Sequence, residues 1–204
     1  MSNTISPALL FKSIIQPKAV FESLADSEPA PVKIFTRYSM WLLMLPPLFS
    51  WIGAYSFGWR LGADEPLQLT TTTLTVISLG YFLTLLFGFV TTAIISRWMA
   101  VTYGANTNPG LHAALITIVG QPLALASAAH LFPDVFFNLI VMIPVTIWSM
   151  YLLYTGIPIV LSIPPERGML MASSLVGWLL VAVVSLLGLT VGLWTTGFGP
   201  LLGV

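Results

Sequence analysis

The sequence has no cysteine and few charged side chains. Of its 204 residues, 7% are Asp, Glu, Lys or Arg, whereas about a quarter of the residues in a soluble domain are charged. The absence of cysteine excludes disulfides, thiolate metal sites and a cysteine nucleophile. The seven Lys and Arg residues form no basic tract, which argues against nucleic acid as a partner.

Acidic and basic side chains are also missing from the interior of the long apolar runs. Such residues inside a membrane span usually mark proton relays and ion pathways, because burying a charge in lipid is costly. The only histidines, His112 and His130, are eighteen positions apart, which is roughly 27 Å of helix, so they cannot share a metal. No local catalytic motif accompanies them. We therefore expect no enzymatic activity, no catalytic residues, no cofactor and no metal site.

The sequence is rich in long apolar segments. Hydrophobic residues make up 57% of the chain and the mean hydropathy is +0.95. After residue 37, the charged residues leave five uncharged runs, at 38–59, 66–96, 98–133, 135–165 and 168–204. A bilayer core requires about 20 apolar residues of helix, and helices satisfy their own backbone hydrogen bonds in lipid. The sequence therefore predicts an all-α, polytopic membrane protein with five transmembrane helices, at about 38–57, 72–95, 111–131, 136–157 and 170–193.

The positive charges predict the orientation of these helices. Lys and Arg near the ends of spans accumulate on the cytoplasmic side of a membrane. With the N-terminus inside, only Arg60 of the seven basic residues lies outside. The inner residues are then Lys12, Lys18, Lys33, Arg37, Arg97 and Arg167. We therefore predict a cytoplasmic N-terminus and, after five spans, a C-terminus on the opposite side.

Residues 1–33 have the most soluble character, and we interpret them as a cytoplasmic segment and linker ahead of a membrane domain at 34–204. Within 7–25, apolar residues are spaced as on one face of a helix, with Lys12, Lys18 and Glu22 beside them. Pro17 should kink this segment or divide it into two short helices. The favoured interpretation is an amphipathic helix on the cytoplasmic membrane surface. The alternative is a helix packed against the bundle.

Prolines and small residues predict how the spans pack. Pro46 and Pro47 should bend or interrupt the first span, because each removes a backbone donor. Gly188 and Gly192 form a GxxxG pattern in the fifth span, which lets helix backbones approach closely. We expect this pattern to pack within the chain, and a homo-oligomer seam is the alternative.

The most unusual stretch is WSMYLLYTGIPIVLSIPPERG, residues 148–168. Tyr151 and Tyr154 are about one turn apart in a predicted helix, and Thr155-Gly156 with Pro158 indicates that the helix weakens just below them. Pro164 and Pro165 should then turn the chain towards Arg167. Aromatic anchoring at a proline-terminated helix end is one interpretation, and a functional position is the other.

Five residues are therefore candidate structural or interaction positions. They are Tyr151, Tyr154, Gly156 and Arg167 from this stretch, and Gln121 from the third span. An amide inside a span is more typical of helix association than of ligand binding.

Three parts of the sequence together resemble a known family. They are FKSIIQPKAVFESL, the aromatic first span, and YLLYTGIPIVLSIPPERGMLMA ahead of the last span. The pattern is similar to the Yip-type domain, five-span membrane proteins related to the Rab/Ypt-interacting proteins, and to its bacterial inner-membrane branch in particular. The resemblance implies five helices, a cytoplasmic N-terminus, a periplasmic C-terminus and no established enzymatic role. Tyr151, Tyr154 and Gly156 match the family pattern, whereas the acidic-glycine motifs of the eukaryotic, GTPase-binding branch are not evident.

The sequence thus favours a non-enzymatic bacterial inner-membrane protein that organises the membrane or binds partners as a scaffold. Its expected partners are membrane lipid and a membrane or cytoplasmic protein, and a homo-oligomer is compatible with the small-residue faces. The alternative is a small permease or channel-like protein, based on the proline-containing spans and the two tyrosines. A water-accessible cavity lined by Tyr151, Tyr154 and Gln121 would favour that alternative.

Overall fold

The computed structural model describes residues 12–60 and 65–195. Helix α1 is Pro17–Ala25, and five longer helices follow it: α2 Pro31–Phe57, α3 Thr71–Tyr103, α4 Pro109–Leu131, α5 Val135–Val160 and α6 Pro165–Thr195. These five are long and apolar enough to cross a membrane, in α6 over Pro165–Leu189. The predicted five-span, all-α architecture is confirmed, and every helix is longer than the span predicted for it. Leu10 and Phe11 of the predicted amphipathic face, and 196–204 of the predicted membrane domain, lie outside the described residues.

Side chains at the helix starts explain where three of the spans begin. The Thr70 hydroxyl accepts a hydrogen bond from the Thr73 N–H at 3.2 Å, and the Asn108 Oδ1 accepts one from the Gly110 N–H at 2.8 Å. At the start of α5, the Asp134 carboxylate accepts a hydrogen bond from the Phe137 N–H at 2.8 Å. Each cap satisfies a donor that the first turn of a helix leaves without a backbone partner.

The prolines do not interrupt the helices that contain them. Met40–Phe57 is continuous through Pro46 and Pro47, and α5 continues through Gly156 and Pro158 to Val160. The first span is therefore not interrupted, and the other form of that prediction, a bend, stays a prediction. The fourth span does not break below the two tyrosines, and its weakening there stays a prediction. Neighbouring helices and small backbone adjustments compensate for the missing donors in packed spans. The irregular part of α2 is instead a π-helical turn at Phe35–Ser39, which the sequence analysis did not predict.

Helix α4 is the centre of the bundle. Of its most apolar window, 61% is buried, whereas the corresponding values for the other four spans are 22% or lower. It packs against α2, α3 and α5, while α6 packs against α3 and α5. A hydrogen bond of 2.7 Å between the Ser39 and Thr117 hydroxyls joins α2 to α4. Near the other end of the pair, Gly53 lies directly against the backbone carbonyl of His130.

The buried apolar residues concentrate at one end of this bundle. We call it the packed end, and it comprises residues 12–30 with α1, the α3–α4 loop at 104–108, the α5–α6 loop at 161–164, and the parts of α4, α5 and α6 that pack against them. The core combines side chains of α1 with the first half of α4, the second half of α5 and the start of α6. In contrast, no described side chain of 179–195 is buried.

The glycines of the GxxxG pattern lie in that exposed part of α6. Apart from the adjoining backbone of α6 itself, no described heavy atom comes within 4 Å of the position that a Cβ of Gly188 or Gly192 would occupy. Within the described residues, the expected packing of this pattern against another helix is therefore not found. The physical reason is that the helices next to α6 contact its first half, so its second half faces away from the rest of the bundle.

Helix α1 lies within the packed end. A helical turn at 12–15 precedes it, and the two are separated at Gln16, as the position of Pro17 predicted. Val20, Phe21 and Leu24 are at most 2% exposed, whereas Lys18 and Glu22 are exposed. The two faces of the predicted amphipathic segment are present, but the bundle covers the apolar one. This arrangement corresponds to the packed-helix alternative, and the membrane-surface helix is not confirmed.

Candidate functional site at the packed end

Because Gly156 has no side chain, side chains of α1 and α4 pack directly against the backbone of α5 at this position. A Cβ at this position would lie 2.6 Å from the Leu115 Cδ1 and 2.9 Å from the Phe21 Cζ, both closer than carbon atoms normally approach. The phenyl ring of Phe21 and the side chain of Leu115 therefore occupy the position of the missing side chain. Gly156, predicted as a candidate interaction position, is a packing contact between α5, α4 and α1.

A second glycine in the same stretch brings α6 against α5. A Cβ on Gly168 would lie 2.7 Å from the Pro158 Cβ and 3.0 Å from the Pro158 Cδ. The flat proline ring and the missing side chain thus allow the two helices to cross closely. The tight turn between them includes Ser162, whose φ of 54° is in the left-handed region. Close packing at this turn therefore accounts for Gly156, Pro158 and Gly168 of the unusual stretch.

Two tyrosines attach the start of α6 to its neighbours. The Tyr154 hydroxyl on α5 lies 2.9 Å from the Ser173 Oγ, and the Tyr103 hydroxyl on α3 lies 2.6 Å from the Ser174 Oγ. In each pair, either hydroxyl can be the donor. Consecutive serines of α6 thus bind two different helices, and Tyr103 is a contributor that the sequence analysis did not identify.

Tyr151 has a different environment from Tyr154. It is 42% exposed, and its ring packs on Trp148 at a centroid distance of 5.0 Å. An exposed aromatic pair on a span is typical of contact with the membrane interface. The two tyrosines that appeared equivalent in the sequence therefore differ in role, since one joins helices and the other faces outwards.

Gln121 on α4 contacts the short helical turn that precedes α1. It is 2% exposed, and its Oε1 accepts a hydrogen bond of 3.4 Å from the Ser13 hydroxyl. Gln121, Tyr151 and Tyr154 thus have three separate sets of neighbours. A groove of about 370 Å³ lies instead between α2 and α3. Its lining is Met40, Met44, Pro47, Leu48, Trp51, Thr75, Ser78, Leu79 and Phe82.

A buried histidine holds the α3–α4 loop in place. The His112 Nε2 lies 2.9 Å from the Asn106 carbonyl oxygen, and its Nδ1 lies 2.8 Å from the Ser96 Oγ. Because a carbonyl can only accept, the Nε2 carries a hydrogen and donates it, and the Ser96 hydroxyl donates to the Nδ1 of the neutral ring. The Asn106 N–H in turn donates to the Leu161 carbonyl at 3.0 Å. This network joins the two loops of the packed end.

Two arginines lie against the same loop. The Arg97 Nε donates a hydrogen bond of 3.0 Å to the Thr107 carbonyl. The Arg167 Nη1 lies 3.3 Å from the position of a Cβ on Gly104, which ends α3 with a φ of 70°. Both arginines are exposed. Arg167, a predicted candidate, thus contacts the same loop as Arg97, at Gly104 and Thr107 respectively.

The chemistry of the packed end is that of a contact surface. Across 12–60 and 65–195, no three His, Asp or Glu side chains are grouped so that they could hold a metal ion. The buried polar groups described above bind one another or the backbone, and they connect helices. The exposed polar surface of this end is formed by α1, the two loops and the arginines.

Five apolar helices around such an end define a polytopic, all-α membrane protein. Residues 11–195 match the family model of the Yip1 domain. The chain therefore belongs to the Yip1 domain family, and the predicted resemblance is confirmed.

Two curated relatives come from Escherichia coli. The chain is 27% identical over 164 residues to the inner membrane protein YohC of strain K12, and the match covers 80% of this chain and 84% of the relative. The inner membrane protein YohC of E. coli O6:H1 (strain CFT073) matches to the same extent. No solved structure matches the chain.

Proposed function

We propose that this chain is a non-enzymatic inner-membrane protein that binds a protein partner through the packed end. The observation that carries the proposal is the distribution of exposed charge. Ten charged side chains of the packed end and the adjoining helix ends are exposed: Lys12, Lys18, Glu22, Asp26, Glu28, Lys33, Arg37, Arg97, Glu166 and Arg167. At the opposite end, the described charged residues are Arg60, Glu65 and Asp134.

The packing of α1 supports a protein partner. Because Val20, Phe21 and Leu24 are buried against the bundle, the apolar face of α1 is already covered. The face that remains accessible carries Lys18 and Glu22, together with small residues between them. A rigid, mixed-charge helix face suits a polar protein surface better than insertion among lipid chains, which requires an apolar face.

The same distribution supports an orientation. Six of the seven basic residues of the chain belong to the packed end and the helix ends beside it, and positive charge accumulates on the cytoplasmic side. The proposed location of the packed end and the N-terminus is therefore the cytoplasm, with the C-terminus in the periplasm. The names of the E. coli relatives support the inner membrane as the location.

The alternative of a small permease receives less support. It depended on a shared cavity lined by Tyr151, Tyr154 and Gln121, and these side chains have separate neighbours. Tyr154 and Gln121 both make hydrogen bonds that connect segments of the chain, which is a structural role.

Site-specific photo-crosslinking in living cells tests the proposed partner surface. A photoreactive residue at Ala19 or Ser23 would lie on the exposed face of α1, and one at Glu65 would be the matched control at the opposite end. We expect discrete crosslinked proteins from 19 and 23 that are absent from 65. The same species from all three positions, or no protein crosslink from 19 and 23, would contradict the proposal.

A separate experiment tests the orientation. Because the chain has no cysteine, an introduced cysteine is the only thiol that can be labelled. Single-cysteine variants Glu22→Cys and Glu65→Cys carry one thiol each, since the chain has no other. A membrane-impermeant maleimide added to spheroplasts should label the Glu65→Cys variant, and the Glu22→Cys variant only after lysis. Labelling of the Glu22→Cys variant in intact spheroplasts would reverse the proposed topology.

A further inference from the structure

The arginines at the α3–α4 loop come from two different helices. Arg97 lies in the last two turns of α3 and reaches Thr107, while Arg167 lies in the first turn of α6 and reaches Gly104. Two guanidinium groups are thus placed on one loop of five residues. The packing of α3 against α6, including the Tyr103–Ser174 hydrogen bond, fixes this arrangement.

Neither arginine is neutralised by a carboxylate. In the part of the chain that the structure describes, the Nε bond to Thr107 is the hydrogen bond that Arg97 makes, and Arg167 makes neither a hydrogen bond nor an ion pair. Glu166 is next to Arg167 in sequence but does not pair with it. A guanidinium group has five N–H donors, so most of the donors of this pair point to the surroundings.

Both arginines also mark the boundary of the apolar spans. Arg97 ends the uncharged run 66–96, and Arg167 precedes the uncharged run 168–204. The side chains next to Arg97 on α3 are apolar and accessible, since Trp98 is 70% and Val101 74% exposed. Tryptophan is enriched at the membrane–water interface, where its ring lies at the level of the headgroups. We therefore expect the two guanidinium groups to lie at the depth of the headgroups.

We propose that Arg97 and Arg167 form a binding site for the phosphate group of an anionic phospholipid. Guanidinium groups bind phosphate oxygens through pairs of parallel hydrogen bonds, and Trp98 and Val101 offer an apolar surface for the acyl chains. A free phosphate ion would use the same donors but not the apolar surface. The inference goes beyond the proposed function and stands without it, because it requires neither a protein partner nor a particular orientation.

The test uses the full-length chain purified in detergent and a fluorescent phosphatidylglycerol as the probe, with fluorescent phosphatidylcholine as the zwitterionic comparison. The variants are Arg97→Gln, Arg167→Gln and the double variant, and Arg60→Gln at the opposite end is the control of equal charge. Each basic residue at an anionic lipid surface contributes about fivefold in affinity. We expect a loss of about fivefold in each single variant, about 25-fold in the double variant, and no loss in Arg60→Gln.

Two further measurements keep the outcome interpretable. Arg97→Gln also removes the bond to Thr107, so thermal unfolding of each variant is compared with the parent chain, and Arg167→Gln serves as the variant without such a bond. Inorganic phosphate at millimolar concentration is titrated as a competitor, and we expect it to displace the lipid only weakly. Unchanged affinity in a folded double variant, equal binding of phosphatidylcholine, equal loss in Arg60→Gln, or inorganic phosphate binding as tightly as the lipid would overturn the proposal.

Discussion

Gly156 and Gly188 are both glycines within long apolar helices, yet their surroundings differ. At Gly156, the position of a Cβ is taken by Leu115 and Phe21. At Gly188, no described atom beyond the adjoining backbone of α6 lies within 4 Å of that position. The first glycine belongs to the packed end, and the second belongs to the exposed half of α6.

The difference shows that the two regions exclude water in different ways. Apolar side chains at the packed end contact one another, as in the core of a soluble domain. The described side chains of residues 179–195 have no described protein neighbours that bury them, and lipid covers such side chains in a membrane. Substitutions should therefore be costly at the packed end and nearly neutral along the exposed half of α6.

The largest effect is expected from Phe21→Ala. The Phe21 ring projects from α1 and is fully buried against Gly156 of α5. Truncating a buried phenylalanine lowers the free energy of unfolding by about 3–5 kcal/mol. The loss should release α1, so trypsin should cleave after Lys18 at least about tenfold faster, because cleavage follows the population of the open form. Ile15→Ala, at a side chain that is 80% exposed, is the control. Equal cleavage rates for the two variants would mean that α1 is not held by Phe21.

Gly156→Leu tests the same contact from the other side. The added side chain would overlap with Leu115 and Phe21, and overpacking costs about 1–3 kcal/mol. In a chain of this size, that corresponds to a fall in Tm of roughly 2–12 °C, measured by thermal unfolding in detergent. A parent-like Tm would show that the packed end can open at little cost.

Ser96→Ala removes one partner of the buried His112. The Nδ1 then lacks the hydroxyl at 2.8 Å, and an unsatisfied buried acceptor costs about 1–3 kcal/mol. The expected result is a lower Tm and faster hydrogen exchange of the Asn106 amide, which lies in the same network. Thr91→Ala, at a partly exposed position whose hydroxyl bonds only its own helix, should leave that exchange unchanged.

A smaller effect separates the two tyrosines. Tyr154→Phe loses the hydrogen bond to Ser173, which is worth about 0.5–1.5 kcal/mol. Tyr151→Phe removes a hydroxyl on an exposed ring and should not change the Tm. If the two variants behave alike, the distinction between a helix-joining and an outward-facing tyrosine is incorrect.

The smallest effect is expected from Gly188→Leu, the counterpart of Gly156→Leu. Space is available at this position, and substitutions away from specific contacts usually stay within about 0.5 kcal/mol. The Tm should therefore remain close to that of the parent chain. A fall as large as that of Gly156→Leu would indicate that the exposed half of α6 is covered in the detergent-solubilised protein.

Several of the structural features could be predicted from particular residues. Arg97, Asp134 and the Glu166-Arg167 pair separate uncharged runs, and each run became one helix. Pro17 divided the N-terminal segment as expected, because a proline lacks the N–H that a continuous helix requires. The prolines within the spans were less informative, since neighbouring helices support α2 and α5 through Pro46, Pro47 and Pro158.

The candidate site was only partly predictable. The stretch 148–168 was recognised as unusual, and Gly156 and Tyr154 do occupy the packed end. Their contacts are with Phe21, Leu115 and Ser173, which are distant in sequence or on another helix. No local sequence pattern indicates such pairs. For the same reason, the sequence did not reveal that His112 and Tyr103 form hydrogen bonds between segments.

By itself, the sequence determined that this protein has five apolar spans, where charges bound them, and to which family it belongs. The spans and their bounds follow from charge, hydrophobicity and segment length, which each segment carries without its neighbours, whereas the family follows from particular stretches such as 11–24 and 151–172. Only the tertiary structure decided that the bundle covers the apolar face of α1 and that Arg97 and Arg167 contact the same loop. It also decided that other side chains occupy the space beside Gly156 but not the space beside Gly188. Hydrophobicity is non-directional, so it requires a side chain to leave water but does not specify whether protein or lipid covers it.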